Sequence, residues 1–412
     1  MNKFPLLLLA FFIATCSNNN TNNNPNTELI IQEPEFIPQM LGLTPGSTTA
    51  ELNFAWYSDS GEKSLVRVFE DGKLAAVERG ISGVASEGKF FHKATAKNLK
   101  PNKIYAYRIS NDSIEWSPEY KYKTPQIETF KFAVVGDPQL AEYEQQDISE
   151  WFSSDRSIAE GWKTTVKKIK EANADFIVSV GDQVDGAAKE KEYELLFAPP
   201  ALKNIPLAPS VGNHDRSYIF QYHFNLPNEQ NFSEDNYGNY FYLYNNILFV
   251  GLNTSHGFGN VERMMPYIDS FDTTLAAATN KFKDKYKWLI VQHHKSTRSV
   301  ANHFNDLDIR AYIDAGFETL MKKYKVNFVL AGHDHVYARI KLGDIYYMTF
   351  TTASGIKYYE FSSETEEQPV TDKYSESKIP SYTIFEVSGN SISISVYEVD
   401  KDTPTDKLKV EK

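Results

Sequence analysis

Five stretches of this 412-residue chain end alike: an apolar run breaks off at a glycine or a polar turn, and side chains able to bind cations follow. Phe132 to Val135 ends in Gly136-Asp137-Pro138-Gln139, and Phe176 to Val180 in Gly181-Asp182. Leu207 to Val211 ends in Gly212-Asn213-His214-Asp215. Trp288 to Val291 runs into His293-His294, and Phe328 to Ala331 into Gly332-His333-Asp334-His335. Two Asp, an Asn, a His and a His-x-His pair form the ligand set of a two-metal hydrolytic site. Two cations about 4 Å apart clamp the attacking and leaving oxygens of an in-line displacement. Asp137 and His335 would hold one ion, Asn213, His294 and His333 the other, and Asp182 would bridge them. Coordination brings the pKa of water towards ~7, so a bridging hydroxide is the expected nucleophile. Six of the nine histidines fall in or beside these segments; only His92, His223 and His256 lie elsewhere.

Side chains delivered this way need strands whose C-terminal tips share one rim, which is where open α/β sheets bind ligands. From Phe130 onward β-like runs alternate with amphipathic ones, the latter at Gly161 to Ala174 and Asp306 to Tyr324. Tyr240 to Leu252 and Ile345 to Thr352 supply further strands, and Ser381 to Val399 a hairpin around Ser388-Gly389-Asn390. The expected fold is a four-layer α/β/β/α sandwich over residues 130–405, two packed sheets with helices outside. The loops Ala141 to Arg156 and His256 to Asp269 carry no readable rule.

Residues 34–125 differ in texture, with short β runs and turn residues throughout. Strands are expected at Ala50 to Tyr57, Lys63 to Glu70, His92 to Ala96, Ile104 to Ile109 and Tyr120 to Tyr122. Leu99 to Tyr105 has the spacing of a tyrosine corner, and Trp56 is the core anchor of an all-β, fibronectin type III-like sandwich. It carries no clustered catalytic side chains and reads as a spacer and a wall for the active site. Pro125 to Thr129 marks the boundary.

Residues 1–16 carry one Lys and then an apolar run too short to span a bilayer, which reads as a secretory signal. Cys16, the one cysteine, closes that run as the lipidated residue of a bacterial lipoprotein would; alternatively it is removed with the leader. Residues 17–33 form an Asn-rich linker. The expected location is therefore exported, as a periplasmic, outer-membrane or cell-surface lipoprotein whose membrane contact is the lipid anchor. No disulfide can form within the chain. A net charge of −11 argues against nucleic-acid binding, which needs a basic patch.

The order Gly136-Asp137, Gly181-Asp182, Gly212-Asn213-His214-Asp215, Val291 with His294, and Gly332-His333-x-His335 resembles the calcineurin-like metallophosphoesterase superfamily. With the β-sandwich in front, the chain is most similar to the purple acid phosphatase branch. The resemblance implies a dinuclear hydrolase of phosphate monoesters using Fe, Zn or Mn, with a small phosphorylated substrate. Phosphodiesters or nucleotides are the alternative, and a surface binding protein on a degenerate phosphatase scaffold is a rival. No His-Glu-x-x-His helix supports a metalloprotease. The resemblance also selects His294 over His293 as ligand, gives His303 the proton for the leaving alkoxide, and gives His214 the phosphoryl oxygens. The purple enzymes' metal-binding tyrosine is replaced by Asp185, so no tyrosinate-to-iron absorption is expected. Asp185 and Asp215 would orient neighbours. Gln139 stands where many relatives have a histidine ligand; it binds metal, bonds the bridging water, or does neither.

Overall fold

The computed structural model describes residues 36–142, 157–355, 357–363, 372–375 and 379–412. Cys16, the leader, the linker and most of the 141–156 loop lie outside the described residues.

Eight antiparallel strands make the first layer pair: β1 (Gln39–Pro45), β2 (Leu52–Ser58), β3 (Leu65–Glu70), β4 (Lys73–Arg79), β5 (Ile81–Val84), β6 (Phe90–Ala96), β7 (Ile104–Ser110) and β8 (Tyr120–Lys123). Their sheets run β1-β2-β6-β5 and β4-β3-β7-β8. Phe54, Trp56, Val66, Tyr107 and Ile109 fill the space between them. The Tyr105 hydroxyl accepts from the Lys100 amide at 2.9 Å, so the tyrosine corner is formed. β1, β4 and β5 were not legible; β4 and β5 are edge strands with largely exposed side chains, which blurs their alternation.

The second part contains β9 (Thr129–Val135), α1 (Ile158–Glu171), β10 (Phe176–Ser179), α2 (Glu190–Phe197), β11 (Leu207–Pro209), α3 (Tyr218–His223), β12 (Tyr240–Tyr244), β13 (Ile247–Gly251) and α4 (Val261–Lys281). It continues through β14 (Trp288–Lys295), α5 (Leu307–Asp314), α6 (Phe317–Lys323), β15 (Phe328–Gly332), β16 (Tyr337–Leu342), β17 (Ile345–Thr349), β18 (Asp372–Ser375), β19 (Ser381–Ser388), β20 (Ser391–Glu398) and β21 (Asp406–Glu411). Among the described residues one sheet has the order β11-β10-β9-β19-β20-β21 and the other β12-β13-β14-β15-β17-β16-β18. β9, β10 and β11 are parallel, as are β13, β14, β15 and β17.

Successive side chains of the central strands serve two different cores. Ile247, Phe249, Trp288, Ile290, Phe328 and Leu330 face the other sheet. Leu248, Val250, Leu289, Val291 and Val329 face α4, α5 and α6. Phe132 is the centre of the inter-sheet layer, 4.6 Å from Phe385 and 5.2 Å edge-on from Phe249. Because both faces are buried, these strands read as continuous apolar runs. On the other side α1 seats Trp162, Val166 and Ile169, and its Ser157 cap accepts from the Glu160 amide.

The expected helix Asp306 to Tyr324 is two helices, broken at Gly316 with φ 103°. The supposed loop His256 to Asp269 contains the first turns of α4, capped by Asn260. β21 pairs with β20, so the sheet continues beyond residue 405 to Glu411.

Candidate metal centre

Each strand of the motif set carries its side chain to the same rim, and the backbone there is unusual. Asp137, Gln139, Asp182, His333 and His335 have φ of 39°, 39°, 50°, 72° and 50°. Non-glycine residues at positive φ cost on the order of 1–3 kcal/mol each and persist where surroundings over-determine them. Here the two loops are zipped together: Gln139 N–H donates to Asp182 O at 2.7 Å, and Asp185 N–H to Leu140 O at 2.9 Å. Gly332 and Gly212 let backbone come against carboxylates. A Cβ at Gly332 would lie 2.4 Å from Asp137 Oδ2, and one at Gly212 2.0 Å from Asp182 Oδ1.

Backbone amides fix both carboxylates. Asp137 accepts from His333 N–H at 3.1 Å, and Asp182 Oδ1 from His214 N–H at 2.9 Å. The other oxygen of Asp182 lies 3.2 Å from His294 Nε2. The pairing of β14 with β15 shifts register between Gln292 and Lys295, a bulge that sets His293 and His294 apart. His293 packs against Phe317 on the helix side, 4.8 Å between rings, while His294 enters the site. Thr254 Oγ1 accepts from the backbone N–H of both His294 and Lys295 and holds that bulge.

The donor set is that of a cation site. His294 Nδ1–H donates to Val180 O at 3.0 Å, which leaves the Nε2 lone pair pointing inward. Around Nε2 lie Asn213 Oδ1 at 3.0 Å, Asp182 Oδ2 at 3.2 Å and His333 Nδ1 at 3.1 Å. That many lone pairs in a buried space repel unless something positive lies among them. The ligand atoms of Asp182, His294 and His333 all fall within 4.8 Å of one another. His335 repeats the pattern: Nδ1–H donates to Lys357 O at 2.8 Å, and Nε2 lies 3.4 Å from Asp137 Oδ1. Orienting a ligating imidazole through its far N–H to a carbonyl is usual for metal sites.

Gln139 fits as well. Its amide nitrogen donates to Asp185 Oδ1 at 2.9 Å and sits 3.2 Å from His214 Nε2, two acceptors that fix which end is nitrogen. Its Oε1 is buried with no hydrogen-bond partner, a bare acceptor among the ligands. His214 Nδ1–H donates to Asp185 O at 2.7 Å.

The electrostatics follow from this crowding. Burial pulls the His294 imidazole down, but Asp182 and Asp137 outweigh it and push it up to about 9, so that Nε2 carries a proton wherever its lone pair is not given to a metal ion. Burial works against ionised Asp182, yet His294 and His214 bring it down to about 2. Burial, and then the charge of Asp182, raises Asp215, whose carboxylate accepts from the amides of Gly212, Gln183 and Val184. Burial, and then His294, pushes His293 down to about 3.

His303 stands at the rim with its ring 3.9 Å from that of His333 and its Nδ1 2.7 Å from Asp306 Oδ2. Every site residue expected from sequence that the structure describes thus gathers at one place; Cys16 lies outside the described residues. Asp306, Thr254 and Tyr359, whose ring is 5.1 Å from His303, were missed. Asp306 follows His303 by three residues and was there to be found; Thr254 and Tyr359 reach the site by packing alone.

Residues 38–124 match the family described as purple acid phosphatase, N-terminal domain. The chain is 24% identical over 331 residues to "Probable inactive purple acid phosphatase 1" of Arabidopsis thaliana, covering 71% of this chain and 51% of the relative. A second Arabidopsis thaliana relative, "Probable inactive purple acid phosphatase 27", is 24% identical over 277 residues, 61% of this chain and 44% of its own. The chain spans about half the length of these curated relatives. Among solved structures, purple acid phosphatase PPD1 from yellow lupin (Lupinus luteus) superposes with a TM-score of 0.67 at 16% identity, covering 91% of this chain and 74% of that one. PhoD superposes with 0.65 at 14% identity, covering 92% of each. At these identities the likeness speaks for the fold. Residues 130–337 match the family described as calcineurin-like phosphoesterase, and with half the chain matched in this way the protein belongs to that family.

Proposed function

We propose that this protein is a dinuclear-metal phosphoesterase acting on small phosphate monoesters, with Fe, Zn or Mn in the site. The observation that carries the reading is the inward ring of lone pairs on Asp182, Asn213, His294 and His333, with Asp137 and His335 beside it. Asp137, Gln139 and His335 would hold one ion, Asn213, His294 and His333 the other, and Asp182 would serve both. Bound there, the ions supply Lewis acidity for the phosphoryl oxygens and a nucleophile from water near neutral pH.

The chain's own residues supply the rest. Asp306 holds His303 by Nδ1, leaving Nε2 to carry a proton to the leaving oxygen. His214, its ring oriented by Nδ1–H on Asp185 O, would stabilise the phosphoryl oxygens. Asp185 and Asp215 keep the two ligand loops in register through amide and imidazole hydrogen bonds. Export and tethering through Cys16 belong to the same proposal and rest on the leader's composition.

A second reading is a phosphatase scaffold without turnover, favoured by the two Arabidopsis thaliana relatives, both named as probable inactive purple acid phosphatases. Elemental analysis of the purified protein, with p-nitrophenyl phosphate turnover of wild type and Asp182→Asn, separates the two. About two metals per chain and turnover lost in the variant support the hydrolase. Protein that stays inactive after Mn, Zn and Fe are each restored establishes the second reading.

A further inference from the structure

Two buried carboxylates open α2, one turned to the β-sandwich and one to the loop that follows Asp182. Glu190 and Glu192 are two positions apart on the helix, so they leave it on different faces. Glu192, with its side chain wholly buried, turns towards the ligand loop. Its Oε2 accepts from the backbone N–H of Asp185 at 3.1 Å and of Gly186 at 2.6 Å, while Lys189 Nζ donates to Oε1 at 3.0 Å. Those amides belong to the turn that follows Asp182. The Asp185 they anchor accepts from Gln139 through its carboxylate and from His214 through its carbonyl.

Glu190 turns the other way. It receives the Tyr57 hydroxyl at 3.1 Å and the Ser86 hydroxyl, both from the sandwich, and pairs with His223 Nε2 at 2.6 Å. His223 ends α3, the helix that follows Asn213 and His214, and its ring lies between Tyr57 at 4.5 Å and Tyr193 at 4.0 Å. Phe91 on β6 stacks on Tyr222 of α3 at 4.8 Å, and Asn53 of β2 donates to Asn225 O at 2.7 Å. The ligand loops at 182–186 and 213–215 therefore each run into a short helix. Those helices meet at Glu190 and His223, closed over by sandwich side chains.

We propose that the sandwich is part of the metal centre's scaffold: Tyr57 and Ser86 act through Glu190, and Glu192 through the 185–186 amides, as positioning residues for Gln139, Asp185, Asn213 and His214. This rests on the metal-binding reading above and goes beyond the role of spacer and wall for the active site expected of the domain. Residues that orient metal ligands from outside change affinity by roughly 10–100-fold when removed.

The test uses the full chain and Zn²⁺ in competition with a chromophoric chelator, together with backbone amide exchange in metal-loaded and metal-free protein. The double variant Tyr57→Phe, Ser86→Ala is expected to melt cooperatively, to bind Zn²⁺ about tenfold or more weakly, and to exchange faster at 182–186 and 213–217. Tyr57→Phe alone is expected to shift both readouts in the same direction and serves if the double variant does not fold; Glu192→Gln, on the loop side of α2, is expected to do the same. Tyr105→Phe, which breaks the tyrosine corner away from α2, should lower the melting temperature while leaving Zn²⁺ affinity and exchange at both loops at wild-type values. Zn²⁺ affinity and loop exchange unchanged in the double variant, or in Tyr57→Phe where the double variant does not fold, would overturn the proposal whatever Glu192→Gln does. So would an equal loss of affinity in Tyr105→Phe at matched melting temperature. A wild type that binds Zn²⁺ and shows these shifts without cleaving p-nitrophenyl phosphate would remove the proposed activity and leave this inference standing.

Discussion

Replacing Gly212 by alanine isolates the position of one carboxylate. Gly212 has φ −95° and ψ 175°, which alanine adopts without torsional strain, so any effect arises from contact. The added Cβ would lie 2.0 Å from Asp182 Oδ1 and 2.2 Å from Asp182 N, whereas ordinary contact begins at 3.4 Å. Asp182 or its loop must therefore withdraw by about 1.4 Å, and a misplacement of about 1 Å already costs about 10²-fold where geometry governs rate. Overpacking costs about 1–3 kcal/mol of stability in a side-chain core, and here backbone must shift as well, so thermal unfolding of the variant is measured alongside to show that it is folded in the assay. Gly257→Ala is the control. Its Cβ would meet Asp308 Oδ2 at 3.6 Å and Lys295 Nζ at 3.7 Å, which are ordinary contacts beside the same site. The assay is kcat/KM for p-nitrophenyl phosphate at saturating metal, with Zn²⁺ affinity measured alongside. Gly212→Ala should fall by about two orders of magnitude, and Gly257→Ala should match wild type. A Gly212→Ala protein with wild-type turnover and metal affinity, or two glycine variants with equal losses, would refute the reasoning.

Two further outcomes concern the fold. His92 is buried between Ser58 and Ser64, with its ring stacked on Trp56 at 5.0 Å, and burial pushes its pKa down to about 4 from the usual 6.5. Between those values the unfolded chain holds one more proton than the folded one. The His92 contribution is therefore complete above about pH 6.5 and is lost at ~1.4 kcal/mol per pH unit as pH falls towards 4. Urea unfolding of His92→Gln at pH 7 and pH 5 should show a shallower pH slope than wild type, and an identical slope would count against it. Phe132→Ala removes the ring at the centre of the inter-sheet layer and should cost about 3–5 kcal/mol in thermal or urea unfolding, with less than 1 kcal/mol pointing to a core that collapses around the gap.

What the sequence by itself determined was the chemistry and its placement at strand ends. Asp137, Asp182, Asn213, His294, His333 and His335 are recognisable because buried parallel strands read as unbroken apolar runs and their tips as abrupt polar turns. The tyrosine corner was legible for a similar reason, since Leu99 to Tyr105 is a local unit. Helix ends were less so. Gly316 breaks a pattern that periodicity carries straight through, and α4 begins in a stretch whose apolar stripe emerges only later.

Tertiary structure decided everything that depends on which end of a side chain faces what. The sequence left three roles open for Gln139; the fold turns its nitrogen to Asp185 and His214 and leaves its oxygen bare among the candidate ligands. It also decided the partner of His303, the support of the β14 bulge by Thr254, and the meeting of Glu190 and His223 with Tyr57 and Ser86. Tyr57 and Glu190 are 133 residues apart in the chain, and no local pattern announces such a pair. Candidate ligands are legible in residue type and spacing because metal chemistry selects both. Orientation and long-range support come from packing between separate elements, which exists only once the chain has folded.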